Sequence, residues 1–139
     1  IPWLIELAQE ELNHFSQVYQ IMKKRGLGLV RDEPDPYVNA LLKHMRPDRN
    51  DRFIDRMLIS SVIECRGAER FRMISKAVTD ENLRTFYRDL WAAEAKHGHQ
   101  FVAMLLNFES RNTIYKRLHE LTEIEGEILK NLIWRPALH

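Results

Sequence analysis

Leu90-Trp91-Ala92-Ala93-Glu94-Ala95-Lys96-His97-Gly98-His99-Gln100-Phe101 is the stretch on which the reading of this chain turns. Extended both ways, its apolar positions run Leu83, Phe86, Leu90, Glu94, His97, Phe101, Met104, the three-four spacing of one helix face. The two middle members are ionisable. A second stripe repeats the pattern as Leu4, Leu7, Glu11, His14, Val18, Ile21, so Glu11-Leu12-Asn13-His14 matches Glu94-Ala95-Lys96-His97. A third, Ile54, Met57, Ser61, Glu64, Ala68, Phe71, turns a lone Glu64 inward. A single Glu-x-x-His is common by chance and is usually a solvated face. The weight comes from two such pairs inside apolar stripes with a lone Glu between them. A carboxylate buried without a partner costs roughly several kcal/mol and normally takes up a proton, so three inward acids call for a shared counter-charge. Two divalent metals supply it, with carboxylates bridging and each imidazole holding one ion. This is the ligand pattern of a carboxylate-bridged di-iron or di-manganese helical bundle.

That inventory needs one more acid. The stripe Ile114, Leu118, Leu121, Glu125, Ile128, Leu132 turns Glu125 inward, and by pattern alone it is the sixth ligand. His44, His99, His119 and His139 do not repeat the arrangement, and His99, two positions from His97, faces elsewhere on its helix.

Periodicity and punctuation predict four long helices and a short one. The first starts near Pro2 and reaches Arg25, with Lys23-Lys24-Arg25 suiting its C-terminal dipole and Gly26 ending it. After a loop through Gly28 to Pro36, a minor helix spans Tyr37 to Met45 and is closed by Pro47. Asn50 caps the second long helix, which reaches about Ala77; Thr79 or Asp80 caps the third, to about Asn107; Ser110 caps the fourth, to about Trp134, before Pro136. No alternating run makes a strand, so the expected fold is an all-α four-helix bundle forming a single domain over residues 1–139. The chain opens on Ile1 and enters a helix almost at once, from which we expect that residues of the same domain once preceded it.

Composition sets limits on function. Apolar residues make up 45% of the 139, enough for a packed core. Twenty-one Lys and Arg against twenty Asp and Glu give a net charge of +1, so any basic surface must come from clustering. The single Cys65 excludes an internal disulfide and fits a reducing compartment, so the expected location is cytoplasmic. No stretch approaches the roughly twenty uncharged apolar residues that span a bilayer.

Glu11-Leu12-Asn13-His14-Phe15, then Ile63-Glu64-Cys65-Arg66-Gly67-Ala68-Glu69-Arg70-Phe71, then Glu94-Ala95-Lys96-His97 resemble the tRNA 2-methylthio-isopentenyladenosine hydroxylases, the MiaE-like branch of the ferritin-like superfamily. The resemblance covers nearly the whole chain, including the region of Glu123 and Glu125, and departs from the family's habit at Cys65, Gly67 and Ala68. It implies that Glu11, His14, Glu64, Glu94 and His97 are iron ligands. It also implies a further Glu from a helix ahead of the first one here, a helix this chain is expected to lack. Glu125 then becomes a neighbour of the centre, or a residue on the substrate side.

The implied activity is a non-haem di-iron monooxygenase that hydroxylates the isopentenyl side chain of a tRNA adenosine. It would use two iron ions (manganese also suits the donor set), dioxygen as co-substrate, and electrons from a donor protein or reductant, acting as a monomer or small oligomer. Phe15, Phe71, Leu90 and Phe101 are candidates to line the hydrocarbon pocket, and for each the ordinary core is the competing role. Candidate phosphate contacts are Lys23-Lys24-Arg25, a middle cluster of Lys43, His44, Arg46, Arg49, Arg52 and Arg56, and Lys116-Arg117. Arg66 and Arg70 are expected to pair with acids such as Glu69 rather than touch RNA. Two other classes use the same residues: a ferritin-like ferroxidase or iron-binding protein, and a metal-free structural bundle in which Glu11, Glu64 and Glu94 form polar networks with Arg66 and the histidines.

Overall fold

The computed structural model describes residues 1–133 and shows five α-helices and no strand among them. The all-α expectation is borne out. The helices divide between two compact units, one over residues 1–33 and the other from Pro34 onward.

The first unit is built on α1 (Pro2–Lys24). Pro2 sits in its first turn, where the missing N–H is no loss, and Lys23 and Lys24 meet the negative end of the helix dipole. Gly26 ends it in the left-handed region, at φ 70°. That turn lets Gly26 N–H donate to the Lys23 carbonyl at 3.1 Å and Leu27 N–H to the Met22 carbonyl at 2.9 Å, satisfying acceptors the last turn would leave open.

The second unit holds α2 (Pro36–Leu42), α3 (Arg49–Ala77), α4 (Glu81–Leu105) and α5 (Arg111–Asn131). Each start is capped by a short polar side chain. Asp35 accepts from Tyr37 and Val38 N–H, Asp80 from Asn82 and Leu83 N–H, and Ser110 from Thr113 N–H. Asp80 rather than Thr79 therefore opens α4. The cap of α3 is Asp48 and not Asn50, because Asp48 stands ahead of the first turn and takes the Asn50 N–H at 2.9 Å. The minor helix stops at Leu42, short of Met45 and before Pro47 acts. Likewise α4 gives way at Leu105 to a turn through Asn107. For α5 the last residue is Asn131; Trp134 and Pro136 lie outside the described residues.

Contacts between α3 and α4 fix their direction. Phe53 meets Phe108, Ser61 meets Gly98, and Phe71 stacks on Tyr87, so one index rises as the other falls and the pair is antiparallel. Asp55 to Arg117 and Arg66 to Glu125 show that α5 runs parallel to α3. Tyr37, Leu41, Leu58, Ile59, Leu105, Ile114 and Leu121 are fully buried at the centre of this unit. Each contributes about 1.5–3 kcal/mol through burial, which holds the helix faces that carry the polar groups in fixed register.

Candidate metal centre

On α4 the inward stripe stands as its spacing requires: Leu90, Glu94, His97, Phe101 and Met104 are all buried. Glu94 keeps 7% of its surface and His97 none. One helical turn brings the Glu94 Oε2 to 3.5 Å from His97 Nδ1. Glu64 on α3 points to the same place, so one donor atom from each of Glu64, Glu94 and His97 lies within 4.8 Å of the others. Two carboxylates and an imidazole concentrated in so small a volume are a hard-oxygen and nitrogen donor set that suits iron or manganese.

Gly98 makes this approach possible. A Cβ there would stand 2.6 Å from Cys65 Sγ and 3.3 Å from the Ser61 carbonyl oxygen, so any larger residue would push α4 away from α3. The space is used by a hydrogen bond, Ser61 Oγ donating to the Gly98 carbonyl at 2.7 Å. The close seam sits immediately beside His97.

In the first unit, α1 sets Glu11 and His14 on one face with the same one-turn geometry, His14 Nδ1 lying 3.7 Å from Glu11 Oε2. The two Glu-x-x-His pairs are therefore near copies of each other in local form.

Glu125 is inward, as its stripe predicts, and keeps 2% of its surface. Its oxygens, however, are held by Arg66: Nε donates to Oε1 at 2.6 Å and Nη2 to Oε2 at 2.7 Å, while Tyr37 Oη donates to Oε1 at 3.0 Å. Burial, then the Glu125 charge, push the Tyr37 phenol above its ordinary value, so it stays a donor. A carboxylate fixed by a bidentate guanidinium has a counter-charge already, so the pattern-only reading of Glu125 as a sixth ligand gives way to an ion-pair role. Sequence reasoning had no means to see Tyr37 in this network, since it lies 88 positions away. Arg66 also pairs with Glu69, as expected, and Arg70 lies over the Tyr37 ring at 5.8 Å.

Sequence reasoning missed Asp55 altogether. It is fully buried between two arginines. Arg117 forks onto it through Nε and Nη2 at 3.0 and 2.9 Å; Arg46 binds it through Nη2 at 2.7 Å and its own N–H at 2.9 Å. Burial pushes the Asp55 carboxyl up, but the hydrogen bonds from Arg117 and Arg46 together outweigh it and bring it down to about 2. Arg46 further pairs with Asp51, and Arg117 with Glu120 and the His44 carbonyl. These two arginines are thus removed from the expected phosphate-binding clusters, because their charges are spent on a buried acid.

Of the residues proposed to line a hydrocarbon pocket, Leu90 and Phe101 are buried core, Phe71 stacks on Tyr87 and Phe15 is exposed. A groove of about 790 Å³ runs along α3, α4 and α5, walled by Cys65, Arg72, Trp91, His99 and Tyr115. Glu64, Glu94 and His97 do not line it.

Fold and donor set together define a ferritin-like helical protein with a carboxylate–histidine cluster suited to iron. Over residues 1–139 the sequence matches the family described as tRNA-(MS(2)IO(6)A)-hydroxylase (MiaE). The chain belongs to that family. It is 30% identical over 135 residues to the tRNA 2-(methylsulfanyl)-N(6)-isopentenyladenosine(37) hydroxylase of Salmonella typhimurium, covering 92% of this chain and 49% of that protein. It is 28% identical over 131 residues to the enzyme of the same name from Pseudomonas putida, covering 94% of this chain and 63% of that one. The chain thus spans about half to two thirds of the length of these relatives. Among solved structures it is similar to Protein 43 with aldehyde deformylating oxygenase activity from Synechococcus, with a TM-score of 0.89 and 33% identity over 96% of this chain and 66% of the other. No helix among the described residues is long and apolar enough to cross a membrane.

Proposed function

We propose that this chain carries the metal-binding bundle of a dioxygen-dependent hydroxylase acting on the isopentenyl side chain of a hypermodified adenosine in tRNA. The observation that carries the reading is the convergence of Glu64, Glu94 and His97 from two helices onto one small volume. Family membership and the names of the relatives supply the substrate class.

In this reading Glu11, His14, Glu64, Glu94 and His97 hold two iron ions, with manganese also suited to the donors. Such an iron pair would supply the activation of dioxygen, one oxygen atom ending in the new C–OH group and the other in water, with two electrons from an external donor protein or reductant and two protons from solvent. The chain supplies placement. Glu94 and His97 stand on a helix whose neighbouring Leu90, Phe101 and Met104 are buried, so their rotamers are held and bulk water is kept from that face. Gly98 keeps α3 close enough for Glu64 to share the volume. The Arg66–Glu125–Tyr37 network braces α3 against α5 and α2 two residues beyond Glu64, fixing the helix that carries it. The protein works in the cytoplasm, as a monomer or small oligomer.

The test is to incubate the full-length protein, ferrous iron, a reductant and dioxygen with tRNA bearing the isopentenyl group, and to digest the tRNA to nucleosides. A gain of one oxygen on the modified adenosine is expected. An iron-loaded protein that leaves the nucleoside unchanged overturns the proposal, and a large hollow assembly by native mass measurement would turn it toward iron storage.

A further inference from the structure

With Arg46 held on Asp55, the middle basic cluster resolves into a smaller and better-defined surface at one end of the second unit. Arg49, Arg52, Phe53 and Arg56 occupy the i, i+3, i+4, i+7 positions of α3 and so share one face. All three arginines are exposed. Phe53 keeps 46% of its surface and Phe108, just beyond α4, keeps 72%. Their rings meet edge to face, with centroids 5.8 Å apart. A pair of partly exposed phenylalanine rings, one of them on the same helix face as three arginines, offers flat apolar surface next to positive charge.

The acids nearby are spent elsewhere. Asp48 caps α3. Asp51 pairs with Arg46, Asp55 binds Arg46 and Arg117, and Glu109 accepts the Ser110 N–H at 2.6 Å. Among the described residues none of these acids forms an ion pair with Arg49, Arg52 or Arg56, although Asp48 and Glu109 keep their charges as backbone acceptors, and the fitting partner for three exposed arginines on one face is an anion repeated along a chain that also carries flat apolar faces. Single-stranded nucleic acid has that chemistry: phosphates for the arginines and unstacked bases for the phenylalanines.

Position along α3 agrees. Phe53 precedes Glu64 by eleven residues, about three helical turns, so the two lie on nearly the same line of the helix about 16 Å apart. That span is the reach of a few nucleotides. We propose that Arg49, Arg52 and Arg56 with the Phe53–Phe108 pair form the surface that holds the RNA strand flanking the modified base. The proposal rests on the tRNA reading above and adds to it the place where the strand is gripped.

The experiment uses the full-length protein and a synthetic tRNA stem-loop, with binding followed by fluorescence anisotropy across a salt series. R49E/R52E/R56E is expected to weaken binding at least about tenfold at low salt and to flatten the dependence of log affinity on log salt by about two units. R49K/R52K/R56K should keep most of the affinity, because a point charge suffices for a phosphate. F53A/F108A should weaken binding by about tenfold and leave the salt slope as it was, since stacking releases no counterions. Melting curves of the arginine variants should match the parent, those side chains being exposed, F53A/F108A should melt slightly lower for the lost ring contact, and all should keep the parent iron content. Parent-like affinity in both the glutamate and alanine variants, in a protein that still hydroxylates tRNA, overturns this surface alone. A shift of those variants to a smaller species in sedimentation, with RNA affinity unchanged, also overturns it and assigns the patch to a protein interface. A parent protein that neither binds nor hydroxylates tRNA overturns both proposals.

Discussion

Asp55 and Glu125, at 0% and 2% exposure, are as deeply buried as Glu94 at 7%, yet the surroundings of the two kinds of acid differ. Around Asp55 and Glu125 the chain builds guanidinium forks: Arg117 and Arg46 on the first, Arg66 on the second. Around Glu94 it gathers a second carboxylate and an imidazole. A fork is a counter-charge that belongs to the fold, and the acid it meets is a structural member. Carboxylates drawn toward one another concentrate like charge, which favours a cation brought from outside. Within one unit, then, burial alone does not mark a functional acid. What marks it is the company the acid keeps.

The comparison breaks most sharply at the proposed ligands. Glu94→Ala or His97→Ala in the full-length protein is expected to lower iron affinity by on the order of 100-fold or more, exceeding the effect usual for groups one step removed from a metal. Iron titration followed by optical absorption checks this. Asp55→Asn should do the opposite. It removes half of a buried pairing and leaves two arginines poorly answered, for a loss of about 3 kcal/mol in denaturant unfolding while the iron content of the folded protein holds. The pH dependence sharpens the same point. The Asp55 carboxyl sits at about 2 in the folded protein against an ordinary 3.8, so the unfolded chain binds the proton more readily and stability rises with pH through that window. The contribution is fully present above about pH 4 and is lost as pH falls through 2. Unfolding midpoints between pH 2 and 4 should therefore drop steeply in the parent and less so in Asp55→Asn.

How much of this was legible beforehand follows from the range of each interaction. The α4 stripe with Glu94 and His97, the inward turn of Glu125 and the cap at Ser110 are local patterns, spaced within a few turns, and the structure carries them as read. The partner of a charge is not local. Arg117 reaches Asp55 across 62 positions, and nothing in a periodic stripe distinguishes it from a surface cation. Asp55 itself stands one place from the Ile54 stripe, where a helix of this width still buries its side chain. The cap of α3 shows the same limit at short range, since Asp48 and Asn50 both have the chemistry and only the backbone chooses.

Two smaller effects complete the series. Gly98→Ala is expected to cost about 1–3 kcal/mol by forcing α3 and α4 apart, and Cys65→Ala in the same protein should return part of it by clearing the nearer contact. Thermal unfolding of the single and double variants measures this. Glu125→Gln keeps the shape of the Arg66 and Tyr37 contacts while removing the charge, so it should lower stability by about 1–3 kcal/mol and leave iron stoichiometry untouched. Loss of an iron equivalent there would move Glu125 into the ligand set and erase the distinction between the two kinds of acid.

The most direct measurement is the number of iron ions held per chain by the full-length protein, parent against His97→Ala and Asp55→Asn, after anaerobic loading and removal of free metal. Two ions in the parent, fewer in His97→Ala and two in Asp55→Asn are what the account predicts. A parent that retains no iron, or a His97→Ala protein that keeps the full complement, would contradict it.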